Sequence, residues 1–171
     1  MRARVLTTLW LTVAWFLAPV AAVAEPAVVS ATGLWVPPLT EPVVTRAFDA
    51  PDQPYGPGHR GVDLLGAPGA TVVAAGAGVV VFAGMVAGRP VVSIDHADGL
   101  RTTYEPVDPS VGAGLPVARG SPIGTLLAGH VGCPGDACLH WGLRRGETYL
   151  DPLLLLRPPR VRLLPWFVAD A

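Results

Sequence analysis

The sequence predicts an all-β fold, an antiparallel sandwich or barrel-like domain, on the basis of three observations. Gly and Pro account for 20 and 19 of the 171 residues, which favours turns and short extended segments over long helices. Short Val-rich runs, separated by turn residues, follow one another from Pro42 onward. Two of these runs flank Asp98-Gly99, a dipeptide that supplies the positive φ angle of a tight hairpin turn.

Eight runs are predicted to be strands. They cover residues 43–48, 60–64, 71–74, 79–82, 90–96, 100–104, 123–127 and 139–144. In the last run apolar and polar residues alternate, which indicates a strand with one buried face. Cys138 and His140 fall on the polar face of that strand, because side chains two residues apart point the same way.

The segments between and after these runs carry turn signals. Residues 112–120 contain three Gly and one Pro and are predicted to cross between parts of the sheet as a loop. Asp151-Pro152 predicts the start of a helical turn over 153–156, and Pro158-Pro159 predicts its end.

Residues 1–24 are predicted to be a secretory signal peptide. Arg2 and Arg4 precede an apolar stretch that ends in Ala22-Val23-Ala24, a typical cleavage sequence. The alternative is an uncleaved membrane anchor, since the apolar run approaches the roughly 20 residues that span a bilayer. Either reading predicts a secreted or cell-envelope protein, in contact with the membrane only if the segment stays uncleaved. An extended lead-in over 25–41, a β domain over 42–156 and an extended tail over 157–171 are expected to follow.

Charge and composition exclude two classes of function. Removal of the signal peptide leaves 10 arginines against 13 acidic residues, a formal net charge of −3, which argues against nucleic acid as a partner. The sequence contains no Lys, and a lipoyl- or biotinyl-carrier domain must attach its cofactor to a Lys. The Gly- and Val-rich run over 67–84 therefore does not belong to such a carrier.

The two cysteines, Cys133 and Cys138, are predicted to form a local disulfide, because close thiols pair in an oxidising exported environment. The alternative is a metal cluster in which both cysteines act together with His130 or His140. In the first case neither sulfur is a ligand or a nucleophile.

His59 and Asp63 form an H-x-G-x-D sequence that could hold a metal. In an ideal strand these two residues would stand about 13 Å apart, so the chain is expected to curl between them, with Gly61 providing the backbone angles. The alternative is a surface His and an unrelated Asp in a glycine-rich loop. His140, fixed on the polar face of a well-anchored strand, is placed to be a further ligand.

At this point the sequence resembles the lysostaphin-type zinc endopeptidases, which cut peptide cross-links in bacterial cell walls. The matching segments are HRGVDL at 59–64, APGATVVAAGAGVVV at 67–81, VSIDH at 92–96, GSPIG at 120–124 and LHWGLR at 139–144. They run in family order through the whole predicted domain. The resemblance implies a peptidase-type β domain, a Zn²⁺ ion bound by His59, Asp63 and His140, and peptidoglycan peptides as the substrate.

The sequence departs from the family at its two helper histidines, which handle protons and stabilise the transition state. Cys138 replaces the first member of the family's H-x-H pair, and Pro106 occupies the second position, two residues after Tyr104. Neither Pro106 nor a disulfide-bonded Cys138 has a side-chain proton to transfer. His130 could substitute if a Cys133–Cys138 disulfide folded its loop over the metal; the alternative is an exposed loop residue. Glu105 is a second candidate, and His96 is assigned no role.

Two functions follow. The first is a zinc endopeptidase acting on peptidoglycan cross-links, slowed by the loss of acid-base help, which typically contributes 10²- to 10⁴-fold in rate. The second is a zinc-retaining but non-catalytic module that binds the cell wall or regulates a wall hydrolase. Both predict zinc, so metal content alone does not separate them.

Overall fold

The computed structural model describes residues 34–53 and 56–157, and within them it is built almost entirely of antiparallel strands. The predicted signal peptide and the tail beyond Arg157 lie outside the described residues. The strands are β1 (Val43–Arg46), β2 (Gly61–Gly66), β3 (Thr71–Val73), β4 (Gly78–Val86), β5 (Arg89–Asp95), β6 (Leu100–Glu105), β7 (Val107–Pro109), β8 (Pro116–Val117), β9 (Pro122–Leu126), β10 (Ala137–Arg145) and β11 (Thr148–Leu150). Two 3₁₀ helices, Ala97–Gly99 and Pro152–Leu156, complete the described secondary structure.

The strands form two sheets. The larger sheet has eight strands in the order β1-β2-β10-β6-β5-β4-β8, with β11 paired to β10, and the smaller one has the order β3-β9-β7. One buried apolar cluster takes residues from both sheets, for example Trp141 and Tyr104 from the larger and Ile123 from the smaller. The all-β antiparallel prediction is confirmed.

Local sequence signals predicted two of the connections correctly. Asp98 and Gly99 have φ angles of 64° and 69° and join β5 to β6 as an antiparallel hairpin. At the end of β11 the Asp151 carboxylate accepts a hydrogen bond of 3.0 Å from the Leu153 backbone N–H and caps the 3₁₀ helix Pro152–Leu156.

Several strand limits differ from the prediction. Strand β1 ends at Arg46 instead of residue 48, and β4 extends to Val86. The segment 112–120 was expected to be a loop throughout, but its two-residue strand β8 pairs with β4 at the edge of the sheet. Such short strands as β7, β8 and β11 have too few residues to show a period-2 pattern, and pairing with longer strands stabilises them.

The described part of the lead-in packs against the domain. The Val36 backbone N–H donates to the Ala75 carbonyl at 2.8 Å, and the Val73 backbone N–H donates to the Pro38 carbonyl at 3.0 Å. Leu39 enters the apolar cluster, which makes this segment part of the core. None of the helices described has the length and apolarity needed to cross a membrane.

A chain of polar groups runs from half-buried His96, in the β5–β6 hairpin, to the buried side chains of Thr102 and Tyr104. His96 donates from Nδ1 to the Ala77 carbonyl at 2.9 Å, and its Nε2 lies 2.7 Å from the Thr102 hydroxyl. That hydroxyl lies 2.9 Å from the phenol oxygen of Tyr104, which accepts from the Ala75 N–H. Burial lowers the pKa of His96 below its ordinary value, against the opposing effects of the Ala77 carbonyl and the Asp95 charge.

Candidate metal centre

Contacts with residues outside the donor triangle fix the position of His59. Its backbone forms an isolated antiparallel bridge with Asp49, with N–O distances of 2.7 and 3.0 Å. Its side chain is buried, and Nδ1 lies 2.7 Å from the carbonyl oxygen of Ala47. Because a carbonyl can only accept, Nδ1 carries the proton and Nε2 presents a lone pair, as a metal-ligating His requires.

Asp63 and His140 meet because of strand register. Strands β2 and β10 are antiparallel neighbours, and Asp63 is the direct cross-strand partner of His140. Directly opposed side chains on one face of such a pair lie close together, and here Oδ1 of Asp63 is 2.9 Å from Nδ1 of His140. Sheet pairing therefore brings together two residues that are 77 positions apart in the sequence.

The three donor atoms form a nearly equilateral triangle. Nε2 of His59 lies 2.9 Å from Oδ1 of Asp63 and 3.0 Å from Nδ1 of His140. Tetrahedral ligands at about 2.0–2.1 Å from a zinc ion would lie roughly 3.3 Å apart, so only a small expansion is needed. Two imidazole nitrogens and one carboxylate oxygen are a typical zinc donor set. The residues therefore fit the ion that the sequence predicts.

Asp63 is set up to be anionic. Burial opposes the charged form of Asp63, but the hydrogen bond with His140 and the electrostatic interactions with His130, His59 and His140 outweigh this effect and lower the pKa of Asp63 below its usual value. A carboxylate ligand must be deprotonated to bind a metal, so this shift prepares the site.

Gly61 is needed for a reason other than the one predicted. Its φ angle is not in the left-handed region, and it lies in regular pairing as the first residue of β2. A Cβ at Gly61 would stand 2.5 Å from the Trp141 carbonyl oxygen and 2.7 Å from Nε2 of His140. The glycine thus makes room for the His140 ring, and the expectation that it curls the chain is wrong.

His130 lies beside the three candidate ligands. It sits in the loop between β9 and β10, and its Nε2 is 3.4 Å from Oδ1 of Asp63. Its ring stacks on His140 with a centroid distance of 6.0 Å, and only 12% of its side chain is exposed. The alternative of an exposed loop residue is therefore wrong. Its buried Nδ1 has no hydrogen-bond partner among the described residues.

A disulfide joins Cys133 to Cys138 and ties this loop to β10, as predicted. Both sulfurs are consumed, which contradicts the rival cluster of cysteine ligands. The tie lies three residues after His130 and two before His140, so it restricts the loop where it passes the metal centre. Val131 is 91% exposed, and apolar packing therefore contributes little to holding His130.

The two remaining sequence candidates lie at the end of β6. Glu105 is the cross-strand partner of His140 on the side away from β2, and its carboxylate is 3.4 Å from a guanidinium nitrogen of Arg89. Pro106 follows it, and both residues line a groove beside the donor triangle. The Arg89 partner was not foreseen, because nothing in the sequence around Arg89 indicates an approach to the site.

The donor triangle opens into a groove of about 800 Å³. His59, His130 and His140 line it together with Glu105 and Pro106. His140 projects into the groove from strand β10, and 15% of its side chain is exposed. The Ala47 carbonyl that orients His59 also escaped the sequence analysis, because a backbone acceptor has no residue signature. The arrangement can hold one divalent cation with an accessible open side.

Comparison with solved structures shows that other proteins share this antiparallel β fold. The chain superposes on Helicobacter pylori Csd3 with a TM-score of 0.62 and 25% identity, over 77% of this chain and 37% of that one. It also superposes on the catalytic domain of lysostaphin from Staphylococcus simulans, with a TM-score of 0.57, 22% identity, and coverage of 68% and 93%. A zinc-containing peptidase from Vibrio cholerae gives a TM-score of 0.58 at 23% identity, over 71% and 39%. The last two likenesses concern the fold alone.

Sequence comparison identifies the family. Uncharacterized proteins of Mycobacterium tuberculosis and Mycobacterium bovis are 51% identical over 146 residues, which cover 83% of this chain. The match spans 59% of the length of these relatives. The model of peptidase family M23 matches residues 57–152, a range that contains every residue of the donor triangle and His130. The chain belongs to peptidase family M23.

Proposed function

We propose that this protein is an exported zinc metalloendopeptidase that acts on the cross-link peptides of peptidoglycan. The observation that carries the proposal is the donor triangle, in which atoms of His59, Asp63 and the distant His140 lie within 3.0 Å of one another beside an open groove. Membership of a peptidase family supports the reaction class. The peptidoglycan substrate and the location outside the cytoplasm follow from the family resemblance and the predicted signal peptide.

His59, Asp63 and His140 would hold the zinc ion. When bound, zinc supplies Lewis-acid chemistry, which activates water and polarises a peptide carbonyl. The Ala47 carbonyl keeps the His59 ring in the ligating tautomer, and the β2–β10 register keeps Asp63 opposite His140. The chain thus orients each ligand before the ion arrives.

Proton transfer would fall to His130 in place of the family's two helper histidines. Its Nε2 is near Asp63 at the mouth of the groove, where it could accept a proton and return it to the leaving amine. A single helper is a less complete arrangement than the two that the family resemblance implies. We therefore expect turnover to be slower than that of relatives with both helpers, by a factor within the 10²- to 10⁴-fold typical of acid-base catalysis.

The test is release of new peptide ends from purified peptidoglycan by the zinc-loaded chain, beginning at Glu25. The His140→Ala variant is the control, because it removes one ligand and leaves the groove in place. Zinc content measured on both proteins should give one ion per molecule for the wild type and a loss for the variant. Equal release of peptide ends by the two proteins would contradict the proposal.

A second candidate is a zinc-retaining module that binds the wall, or regulates a wall hydrolase, without turnover. It is favoured by the replacement of both helper positions, by Pro106 and by Cys138, whose sulfur is in a disulfide. Under this alternative the protein co-sediments with peptidoglycan or changes the rate of an added hydrolase, and no new peptide ends appear. The same digestion experiment decides between the two.

A membrane association would depend on residues 1–24. N-terminal sequencing of the protein recovered from the producing cells decides the matter: Glu25 as the first residue indicates cleavage and release from the membrane. An intact N-terminus in the membrane fraction would instead indicate an anchor.

A further inference from the structure

The two most exposed of the large apolar side chains over residues 34–53 and 56–157 lie in the groove at the candidate metal centre. They belong to Val131 and Met85, which are 91% and 64% exposed. Both line the groove that His130 and His140 also line. Single exposed apolar residues are common on protein surfaces, whereas several along one groove beside a functional site are typical of a surface that a ligand covers.

The end of the β4–β5 hairpin supplies the first apolar group of the groove. Met85 and Pro90 are cross-strand partners, and both line the groove. Ala87 and Gly88 join the two strands with φ angles of 47° and 80°, as a tight two-residue turn with two positive φ angles requires. The hairpin therefore fixes the backbone at Met85, while the flexible thioether side chain can adapt to a ligand.

The loop between β9 and β10 supplies the second apolar group. Leu127, Ala128 and Val131 all line the groove. The loop is attached at both ends, because the Leu127 backbone N–H donates to the Pro106 carbonyl at 3.0 Å and the disulfide joins Cys133 to β10. An anchored segment has less conformational freedom to lose when a ligand binds, so its apolar side chains are suited to recognition.

The charged pair at the hairpin end favours a neutral ligand group in this part of the groove. Arg89 follows the turn and lies 3.4 Å from the carboxylate of Glu105, and both residues line the groove. An ionised ligand group would be attracted by one member of this pair and repelled by the other. An aliphatic side chain needs no charged partner, and it would remove apolar surface of Met85 and Val131 from water.

We propose that Met85 and Val131 form an apolar subsite for an aliphatic side chain of the peptide ligand, next to the ligand segment at the metal centre. The proposal rests on the proposed function, which supplies the peptide, and it adds a specificity: an aliphatic side chain is preferred over a polar one at that position. The occupant is a peptide side chain because the subsite is continuous with the groove of His130 and His140. Met85 and Val131 contribute to binding and not to the chemical step.

The test compares two small ligands that a zinc ion would anchor in the groove, the hydroxamates of N-acetyl-leucine and N-acetyl-serine. Their dissociation constants are measured by calorimetry on the zinc-loaded chain beginning at Glu25 and on its variants Met85→Ser, Val131→Ser and Val79→Ser. Val79 is the matched control, because it is an exposed apolar residue of β4 that does not line the groove. We expect the wild type to bind the leucine compound about tenfold more tightly, as partial burial of one aliphatic side chain gives.

Met85→Ser and Val131→Ser should each reduce that preference to about threefold or less, whereas Val79→Ser should keep it. The heat-capacity change on binding is a second measurement that needs no variant. It should be more negative for the leucine compound than for the serine compound, because more apolar surface is buried. Equal affinity of the wild type for the two ligands, or the same preference in all four proteins, would overturn the subsite and leave the proposed function standing.

Three further outcomes separate this subsite from other interpretations. If the wild type binds neither hydroxamate, the metal centre and the subsite are both overturned. If sedimentation shows a wild-type dimer that Met85→Ser and Val131→Ser abolish, the two side chains belong to an interface between copies of this chain and the subsite is wrong. A preference for the leucine compound without release of peptide ends from peptidoglycan would support the subsite and contradict only the catalytic function.

Discussion

At the scale of single residues, the geometry of the candidate metal centre depends on groups outside the donor triangle. The Ala47 carbonyl sets the tautomer of His59, and the missing side chain of Gly61 leaves space for His140. The three candidate ligands could be named from the sequence, because their residue types and order match a known family. The contacts that orient them could not be predicted, since the Ala47 carbonyl and the space at Gly61 meet the two histidines only in the folded chain.

Gly61→Ala should damage the metal centre. The added methyl group would meet the Trp141 carbonyl at 2.5 Å and the His140 ring at 2.7 Å, so strand β10 or the ring must shift. We expect a loss of about 1–3 kcal/mol in unfolding free energy and a clear drop in zinc affinity. Urea denaturation and zinc titration measure the two effects. Gly112→Ala is the control, because a Cβ there meets nothing within 4 Å; equal behaviour of the two variants would refute the steric account.

His130→Gln tests the proton-transfer role. Gln keeps a polar side chain of similar length but cannot act as an acid or base near neutral pH. Release of peptide ends should fall about 100-fold or more, while one zinc ion per molecule is retained, because His130 is outside the donor triangle. Zinc analysis and digestion of peptidoglycan are done on the same preparation. Unchanged release of peptide ends would exclude His130 from proton transfer and leave Glu105 as the remaining candidate.

At the scale of elements, pairing between strands decides what local sequence does not. The Asp98-Gly99 hairpin was predictable because the turn type requires positive φ at adjacent residues and the dipeptide provides it. The short strand β8 was not predictable, since Pro116 and Val117 carry no period of their own. The loop between β9 and β10 is the clearest example. Its residues 127–136 include three glycines and one His but no periodic pattern, and the disulfide and the contacts with Asp63 and His140 determine where that His lies.

Removal of the disulfide should free this loop without removing the metal. In Cys133→Ala/Cys138→Ala the segment from His130 to Ala137 loses its covalent tie to β10. The chain-entropy relation for so short a loop gives a loss of about 2 kcal/mol in unfolding free energy. Faster amide exchange around His130 and reduced peptide release should accompany it, with zinc content unchanged.

A cysteine-free variant that also carries His130→Gln should be no less active than His130→Gln alone, because both changes act on the same group. Additive losses would show that the disulfide acts on the reaction by a route independent of His130.

At the scale of the whole molecule, the order of the strands brings charged side chains from distant parts of the chain close together. Arg60, Arg89 and Arg144 are far apart in the sequence, but the strand order β2-β10-β6-β5 brings all three to the pockets that His140 lines. The family motifs, which follow the chain order, therefore predicted the fold and the candidate ligands. The arginines that line the groove could not be predicted, because they belong to no motif. The same sheet partly buries His96 in the β5–β6 hairpin.

The domain should lose stability on mild acidification through His96. Burial lowers the pKa of this residue in the folded state below the value of about 6.5 expected in the unfolded chain. The unfolded state thus binds the proton first, so unfolding free energy falls as pH drops through about 6.5 and levels off below the folded-state pKa. The slope for one proton cannot exceed about 1.4 kcal/mol per pH unit. Urea unfolding between pH 5 and 7.5 measures it on the wild type and on His96→Gln, whose neutral side chain does not titrate; the other histidines contribute equally to both and cancel. Parallel curves for the two proteins would show that His96 is not the group responsible.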